Sequence, residues 1–162
     1  MAIITGVGTL FLEELGLGAH VLSEGSPDDT IKVALYGPNA VLDPKVNSVY
    51  TTFGEVAGGG YTAGGITITG LTVVGRSGSA RAGGVQFSQG PYIQPDDDAA
   101  FTVVGVGVRG CLMYNASQGN RTIFVLDFGE TLSPSTGLQI NWGLAGVVAY
   151  TDTLIPLQAK TL

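Results

Sequence analysis

The sequence predicts an all-β protein: an antiparallel β-sandwich or jelly roll with a short N-terminal arm or helix. Three observations lead to this prediction. From Thr30 onward, short stretches alternate apolar and polar residues, and this period of two is typical of half-buried strands. Clusters rich in Gly, Pro, Asn and Asp separate the stretches, as turns do. No long helical pattern lies between them, and the lack of β-α alternation argues against a doubly wound fold.

The chain of 162 residues fits one folded domain with two extensions. We assign residues 1–29 to an N-terminal arm with a short helix and a linker. Residues 30–155 are assigned to the sandwich domain and residues 156–162 to a C-terminal tail. Within the arm, residues 9–20 predict a helix of one or two turns, because nearby glycines close a short apolar stripe there.

Seven stretches have the alternation expected of strands. They are residues 31–36, 48–56, 65–75, 79–88, 99–115, 121–129 and 136–150. The turn signals between them are GPNAVLDP, GGGYTAGG, GRSGS, QGPYIQPDDD, NASQGN and ETLSPSTG. Regular succession of short strands and turns is what an antiparallel sandwich or jelly roll requires.

The composition predicts a protein that functions in an assembly. Charged residues make up 12% of the chain, about half the usual share, and 26 residues are glycine. A surface built from Thr, Ser, Gly, Asn and exposed apolar groups is poorly protected against association. The net charge of −6, with seven scattered cations, argues against nucleic-acid binding, which needs clustered Lys and Arg.

The N-terminal stretch predicts neither a signal peptide nor a membrane anchor. It lacks a basic region before its apolar residues, and Glu13 and Glu14 come too early for a signal sequence. No apolar run approaches the length of a membrane span. We therefore expect a soluble protein, made in the cytoplasm, with no membrane partner.

Three glycines match the spacing of a dinucleotide-binding turn. Gly105, Gly107 and Gly110 fit G-x-G-x-x-G, but that fingerprint works as a strand-to-helix turn that aims a helix N-terminus at a pyrophosphate. Here the period of two continues from Val104 to Leu112, which predicts a strand through the glycines. We interpret the match as accidental, expect a bulge or a close backbone approach instead, and predict no cofactor.

No residue pattern predicts an enzyme. Cys111 is the single cysteine and lies in an apolar run, as a packed thiol does. His20 is the single histidine, and no other follows Ser77 to complete a hydrolase triad. The kinase-like LDFG at residues 126–129 has no catalytic loop or paired lysine strand around it, so we predict a strand that ends in a tight turn.

The run Pro95 to Phe101 contains the one carboxylate cluster of the sequence. Neighbouring side chains alternate in direction on an extended backbone, so Asp96 and Asp98 point the same way. They are candidate oxygen ligands for calcium or magnesium, at an oligomer interface for instance, and the alternative is a solvated loop.

Two segments, residues 31–70 and 109–130, resemble a small structural protein that recurs in tailed bacteriophages and prophages. They cover about 60 of the 162 residues. The resemblance rests on Ala34-Leu35-Tyr36, Leu42-Asp43, Glu55 before GGGYTAGG, Arg109-Gly110, Tyr114-Asn115 and Asp127-Phe128-Gly129.

The resemblance implies a virion component, a capsid decoration or cement protein with a β-sandwich or jelly-roll body. Its partners would be the major capsid protein and further copies of itself, as a homotrimer, and its location the capsid surface. Phe11, Leu12 and Leu15 of the arm and Tyr61 of the GGGYTAGG loop are the expected contact residues. The arm instead packs on its own sandwich if it is an ordinary N-terminal element.

Two other functions remain open at this point. One is a tail, fibre or head-tail joining component. The other is a carbohydrate-binding or host-receptor module on the same scaffold, for which exposed Tyr61, Tyr92 and Trp142 would supply the aromatic platform.

Overall fold

The computed structural model describes the backbone of residues 2–22, 29–68, 71–74, 79–81, 84–86, 92–95, 99–141, 148–149 and 158–161, and the side chains of residues 2–22, 29–68 and 99–140. This part of the chain is mostly β-structure with one short helix, and every pairing between its strands is antiparallel. The prediction of an all-β protein with a short N-terminal helix is confirmed.

The described residues form one helix and thirteen strands. The helix α1 spans Thr9–Gly16. The strands are β1 Gly6–Val7, β2 Ile31–Tyr36, β3 Ile66–Ile68, β4 Leu71–Val74, β5 Ser79–Arg81, β6 Gly84–Gln86, β7 Tyr92–Pro95, β8 Ala99–Phe101, β9 Val108–Asn115, β10 Arg121–Leu132, β11 Leu138–Asn141, β12 Val148–Ala149 and β13 Gln158–Thr161.

A five-stranded sheet in the order β1-β10-β9-β2-β3 forms the centre of the fold. Three smaller sheets accompany it: β13-β11-β8, β12-β7-β4 and the hairpin β5-β6. The longest pair, β9 and β10, is joined by the predicted NASQGN turn, in which Gly119 and Asn120 have a φ of 58°. Both residue types tolerate this left-handed conformation, so the turn sets the register that pairs Asn115 with Arg121.

The central sheet is buried on both faces. Val33 and Leu35 of β2 point into a cluster that includes Ala99, Phe101, Leu138 and Ile140 of β8 and β11. Their neighbours Ala34 and Tyr36 point into a second cluster with Ala40 and Leu42. Because both faces are covered, β2 and β9 are nearly continuous apolar runs rather than strictly alternating ones.

The second face is covered by residues 37–56, which we call the cover segment. Its backbone is tied to its surroundings by hydrogen bonds from Ile4 N to Leu42 O and from Tyr50 N to Asn120 O, at 2.8 Å each. The prediction of a strand at residues 48–56 is wrong. This stretch makes only isolated bridges, because it must turn over the sheet and uses local bonds such as Glu55 N to Thr52 O.

The predicted strand at residues 99–115 is interrupted. Residues 102–107 form a loop between β8 and β9, in which Gly105 has a φ of 70°. Gly110 remains in β9, where a Cβ atom would overlap the carbonyl oxygen of Leu126. The expected close backbone approach is therefore confirmed at Gly110, and the chain continues as a strand after it.

Other boundaries also differ from prediction. The stretch predicted as one strand at residues 79–88 forms the hairpin of β5 and β6, and the predicted strands at residues 65–75 and 136–150 each contain two strands that belong to different sheets. The LDFG stretch does not end its strand: β10 passes through Gly129, with a φ of 81°, and continues to Leu132. The register shifts between Asp127 and Leu132, so the glycine marks a bulge rather than a turn. Residues 92–95, expected within a turn, form β7 and pair with β4 and β12.

The N-terminal residues pack on the chain's own body. β1 pairs with β10 through Gly6 and Val7. The helix of one or two turns predicted within residues 9–20 is confirmed as α1, and its Phe11 lies in the main cluster with no exposed surface.

Candidate interaction surface

The glycine loop, residues 57–65, has a defined shape. Five of its residues have φ between 63° and 86°: Gly58, Gly59, Gly60, Gly64 and Gly65. Side chains other than glycine rarely adopt this conformation. The GGGYTAGG sequence therefore encodes a particular backbone path, in agreement with the predicted cluster of tight turns.

A carboxylate holds this loop against the sheet. Glu55 Oε1 accepts hydrogen bonds from the Tyr61 hydroxyl and the Gly64 amide, both at 2.7 Å. Glu55 Oε2 accepts one from the Tyr50 hydroxyl at 2.6 Å. Hydrogen bonds to a charged acceptor are the stronger kind. We call this arrangement the Glu55 clamp.

Tyr61 also completes the edge of the central sheet. The pairing between β2 and β3 stops at Val33, which lies opposite Ile66. The amide of Leu35, further along the same edge of β2, therefore has no partner in β3. The Tyr61 hydroxyl accepts its hydrogen at 3.0 Å. Since the same hydroxyl donates to Glu55, one side chain links the loop to both the strand and the clamp.

Further tyrosines reinforce the clamp from the second face. Tyr114 donates to the carbonyl of Gly64 at 2.8 Å and stacks on Tyr50, with ring centroids 4.6 Å apart. Tyr36 donates to the carbonyl of Thr51. Burial, and the negative charge of Glu55, hold the pKa of Tyr36, Tyr50 and Tyr61 well above its usual range. These hydroxyls are thus donors that fix structure and are poor sources of a catalytic proton.

The exposed side of the loop carries no charge. Residues 57–60, 62 and 63 are exposed, and the glycine loop lies beside residues 102–107, with Val104 N donating to Gly59 O at 2.9 Å. Neither stretch contains an ionisable residue apart from Tyr61. We call residues 57–63 and 102–107 the loop surface; Val104 is 41% exposed on it.

A second polar network lies at the β9–β10 turn. Asn115 is fully buried, and its amide group donates to His20 Nδ1 at 3.0 Å and to Asp29 Oδ2 at 2.7 Å. Its carbonyl oxygen accepts from the amides of Ser117 and Gln118. Because Nδ1 of His20 accepts, the ring proton sits on Nε2 and is donated to Glu14 at 3.0 Å.

Charged groups close this hairpin network. Arg121 pairs with both carboxylate oxygens of Glu14, at 2.7 and 2.8 Å. The hydrogen bond from Arg121 is the main reason that the pKa of Glu14 lies below its usual value. Burial alone would raise the pKa of Asp29, but hydrogen bonds from Asn115 and the Val21 amide lower it overall. The network joins the N-terminal arm to the turn.

A small cleft of about 220 Å³ lies beside the cover segment, lined by Ala2, Ile3, Pro38, Ala40, Arg109, Asp127 and Thr131. Arg109 binds Asp127 in a bidentate pair at 2.7 and 3.1 Å. Partial burial opposes ionisation of Asp127, yet Arg109 holds the pKa of its carboxyl below the usual value. The two charges satisfy each other, so this cleft presents no uncompensated group to a ligand.

The structure distributes the predicted contact residues unevenly. Phe11 is fully buried and has no surface to offer a neighbour in this fold, while Leu12 and Leu15 are partly buried against the same core. Tyr61 is half-buried, and its hydroxyl is used within the chain. Its loop, however, is exposed.

The remaining predicted site residues cannot be placed in this way. Asp96, Asp98 and Trp142 lie outside the described residues, and the description of Tyr92 is limited to its backbone in β7. Among the side chains described, no group of three or more His, Cys, Asp or Glu is arranged to hold a metal ion.

Sequence reasoning missed the Glu55 clamp and the hairpin network. Glu55 stands three positions before Gly58, the first residue of GGGYTAGG, and a carboxylate shortly before a run of glycines is the one local signal for the clamp. The hairpin network joins residues up to 107 positions apart, for which no local pattern exists.

Comparison with protein-family models, curated proteins and solved structures gave no match. In the described part of the chain, no helix has the length and hydropathy needed to cross a membrane. Cys111 is fully buried in β9, and burial raises the pKa of its thiol.

Proposed function

We propose that this chain is a capsid decoration protein of a tailed bacteriophage, which stabilises the head by bridging adjacent capsid subunits. The observation that carries the proposal is the loop surface: an exposed, uncharged surface whose glycine loop is held in one conformation by the Glu55 clamp. In the architecture we propose, β8 and β11 pack over the central sheet as the second layer of a sandwich.

The residues behind the phage resemblance support a structural role. Tyr36, Glu55 and Tyr114 belong to the clamp or its surroundings, and Arg109 and Asp127 form an internal ion pair. Their polar groups are engaged in hydrogen bonds within the chain. Such motifs maintain a shape, which is what a protein with a mechanical role needs.

The mechanism is additive burial across a lattice. A loop that is already ordered loses little conformational entropy when it docks on the major capsid protein. Apolar burial contributes about 25 cal/mol per Å², so a modest contact amounts to several kcal/mol before the losses of association are subtracted. Repetition over the symmetric head multiplies this gain and raises the energy needed to rupture the shell.

Copy number tests the location. Virions from the strain that encodes the chain would be purified, and the chain quantified against the major capsid protein by mass spectrometry. A ratio near one, or a simple fraction of it, supports a decoration protein. A few copies to a few dozen per particle contradict it in favour of a tail, fibre or joining component. Absence from particles contradicts any virion role and makes a glycan array the next experiment.

A substitution on the loop surface tests the docking site. Ala63→Arg places a cation on the exposed side of the glycine loop, and Ala19→Arg is the matched control at an exposed position of the N-terminal arm. Particles that lack the protein would be mixed with each variant and sedimented. We expect Ala63→Arg to bind at least about tenfold more weakly, and the control to bind normally. Equal binding of the two variants would contradict docking through this loop.

A further inference from the structure

The cover segment exposes apolar side chains on its outward side. Among the described side chains, eight large apolar residues are substantially exposed, and four of them lie between residues 41 and 53. Val46 is 75% exposed and Phe53 is 70% exposed; Val41 and Val49 are 47% and 41% exposed. Half of the exposed large apolar residues thus come from one stretch of thirteen positions.

This exposure is a consequence of how the segment lies on the sheet. Its inward residues Ala40 and Leu42 are buried in the second cluster, and Tyr50 packs against it. Val41, Val46 and Val49, which lie next to or between these residues in sequence, are exposed instead. Ile4, 47% exposed, lies beside this segment, because its amide donates to Leu42 O at 2.8 Å. Apolar residues therefore occupy both sides of one layer.

The charge on this side favours contact between copies of the same chain. Each copy carries a net charge of −6, which opposes association through most of its surface. The cover segment contains only Asp43, Lys45 and Glu55 as charged residues. Asp43 and Lys45 are opposite in sign and near in sequence, and Glu55 is engaged in its clamp.

The available area is close to what a stable contact needs. Five partly exposed side chains of this kind offer on the order of 400 Å² of apolar surface. A standard interface buries about 800 Å² per partner, of which roughly 450 Å² is apolar. An exposed aromatic residue such as Phe53 is the type of anchor that dominates such contacts.

We infer that the outward side of the cover segment is the interface between copies of this chain. The inference rests on the proposed function and deepens it, because it gives the homo-oligomer of that proposal a contact surface. The loop surface then docks on the capsid, while the cover segment holds neighbouring copies together. A rotationally symmetric arrangement buries this side once in every copy.

The oligomeric state of the purified chain tests the inference directly. Analytical ultracentrifugation over a concentration series would compare the natural chain with Phe53→Asp and Val46→Asp. The control is Leu17→Asp, since Leu17 is 78% exposed but lies at the end of α1. We expect an oligomer for the natural chain and the control, and association at least about tenfold weaker for each cover-segment variant.

A second measurement keeps the test independent of variant folding. Hydrogen exchange of the natural chain would be followed in dilute and concentrated samples. Amides of residues 45–54 are expected to exchange more slowly at high concentration. The thiol of Cys111, buried in the folded chain, reports on each variant: it stays unreactive where the fold is intact.

Three results would overturn the inference: a natural chain that is monomeric throughout the series, an oligomer unaffected by both substitutions, or an equal loss in the Leu17→Asp control. Virion copy number is decided separately. A monomeric chain that is abundant on heads removes the proposed interface and leaves the decoration function in place. If the chain is an oligomer but is absent from virions, the decoration function is removed and the proposed interface remains.

Discussion

The Glu55 clamp and the hairpin network both tie irregular chain to the central sheet, but they use different chemistry. In the clamp, neutral hydroxyls and one backbone amide surround a single carboxylate. In the hairpin network, a histidine, an arginine and two carboxylates meet around a buried amide, that of Asn115. The first arrangement fixes a backbone path, and the second joins the arm to a turn through charges that titrate.

The contrast shows how a chain with few charged residues uses them. Glu14, Asp29 and Arg121 form internal contacts that join the N-terminal arm to the β9–β10 turn, and Glu55 fixes the shape of the glycine loop. Little charge is left for the loop surface or the cover segment. The surfaces proposed for assembly contain few charged residues: none in the loop surface, and Asp43, Lys45 and Glu55 in the cover segment.

The largest effect is expected from backbone conformation within the glycine loop. In Gly65→Ala, the new Cβ would overlap the carbonyl oxygen of Val33 at a φ of 73°. Because backbone cannot move aside there without disrupting β2, we expect a loss of about 4 kcal/mol or more in the free energy of unfolding. Gly58→Ala is the matched control, since it has a φ of 84° and open space around it. Its loss is expected near 1 kcal/mol; similar losses for both variants, measured by urea unfolding, would contradict the close packing at Gly65.

Removal of the clamp carboxylate comes next. Glu55→Ala leaves the Tyr50 and Tyr61 hydroxyls and the Gly64 amide without their acceptor. We expect a loss of about 3 kcal/mol in urea unfolding, since each orphaned donor carries a desolvation penalty. Glu13→Ala, at an exposed position of α1, controls for the lost charge and is expected to change stability by less than about 0.5 kcal/mol.

The hairpin network is broken by adding a charge instead of removing one. Asn115→Asp keeps the shape of the side chain but places a carboxylate against Asp29, at a contact of 2.7 Å in the natural chain. We expect a loss of about 2 kcal/mol at neutral pH, with partial recovery in acid as the pair takes up a proton. Asn39→Asp, at an exposed position of the cover segment, is the control. Equal urea midpoints for the two variants would mean that the Asn115 amide contributes nothing.

The smallest effects are expected in how the free energy of unfolding depends on pH, at about 1 kcal/mol for each network. The hairpin network and the Glu55 clamp differ in the pH range where they lose stability. The pKa values of Glu14 and Asp29 are lowered in the fold, so their stabilisation is present above their usual values of 4.5 and 3.8 and is lost as the pH falls. The pKa values of Tyr50 and Tyr61 are raised above the usual 10.0, so that stabilisation is lost as the pH rises beyond 10.

Urea midpoints measured across both pH ranges give the two limbs of the stability curve, the loss in acid and the loss above pH 10. Glu14→Gln is expected to flatten the acid limb alone, and Tyr50→Phe to flatten the alkaline limb alone. If either variant changed both limbs equally, the networks would be coupled rather than separate.

Much of the central sheet follows from local pattern. The alternation in β2 and the NASQGN turn before β10 are readable because they depend on neighbouring residues. The stretch at residues 48–56 has a strand-like composition, but tertiary contacts decide its conformation: Val49 bridges Arg121 and Glu55 bridges Tyr36. Intrinsic strand preference cannot reveal that this stretch meets the sheet only at two single bridges and turns between them.

The candidate site was predictable only in part. The glycine loop and Tyr61 stand out in the sequence, because clustered glycines indicate left-handed backbone. The direction in which the Tyr61 side chain points cannot be read from the sequence, since its hydroxyl binds Leu35 N, which is 26 positions away. Phe11 shows the same limit. An apolar residue near the N-terminus is compatible with an arm that docks on a neighbouring molecule and with an arm that packs on its own chain. Only the pairing of β1 with β10 decides between the two.

The strand order of the central sheet also limits the order in which its strands can pair during folding. β9 and β10 are adjacent in sequence and can form a hairpin early, whereas β2 pairs with β9 across the register Ile31 to Asn115. Closing so long a stretch carries a large entropy loss before any contact compensates it, which makes such folds slow. On the ribosome, β2 can pair early with β3, which it meets at Val33 and Ile66, but its other edge stays without a partner until β9 has been synthesised. The edge of β2 that β9 finally covers is therefore exposed for most of synthesis, and it is a place where a chaperone can protect the chain.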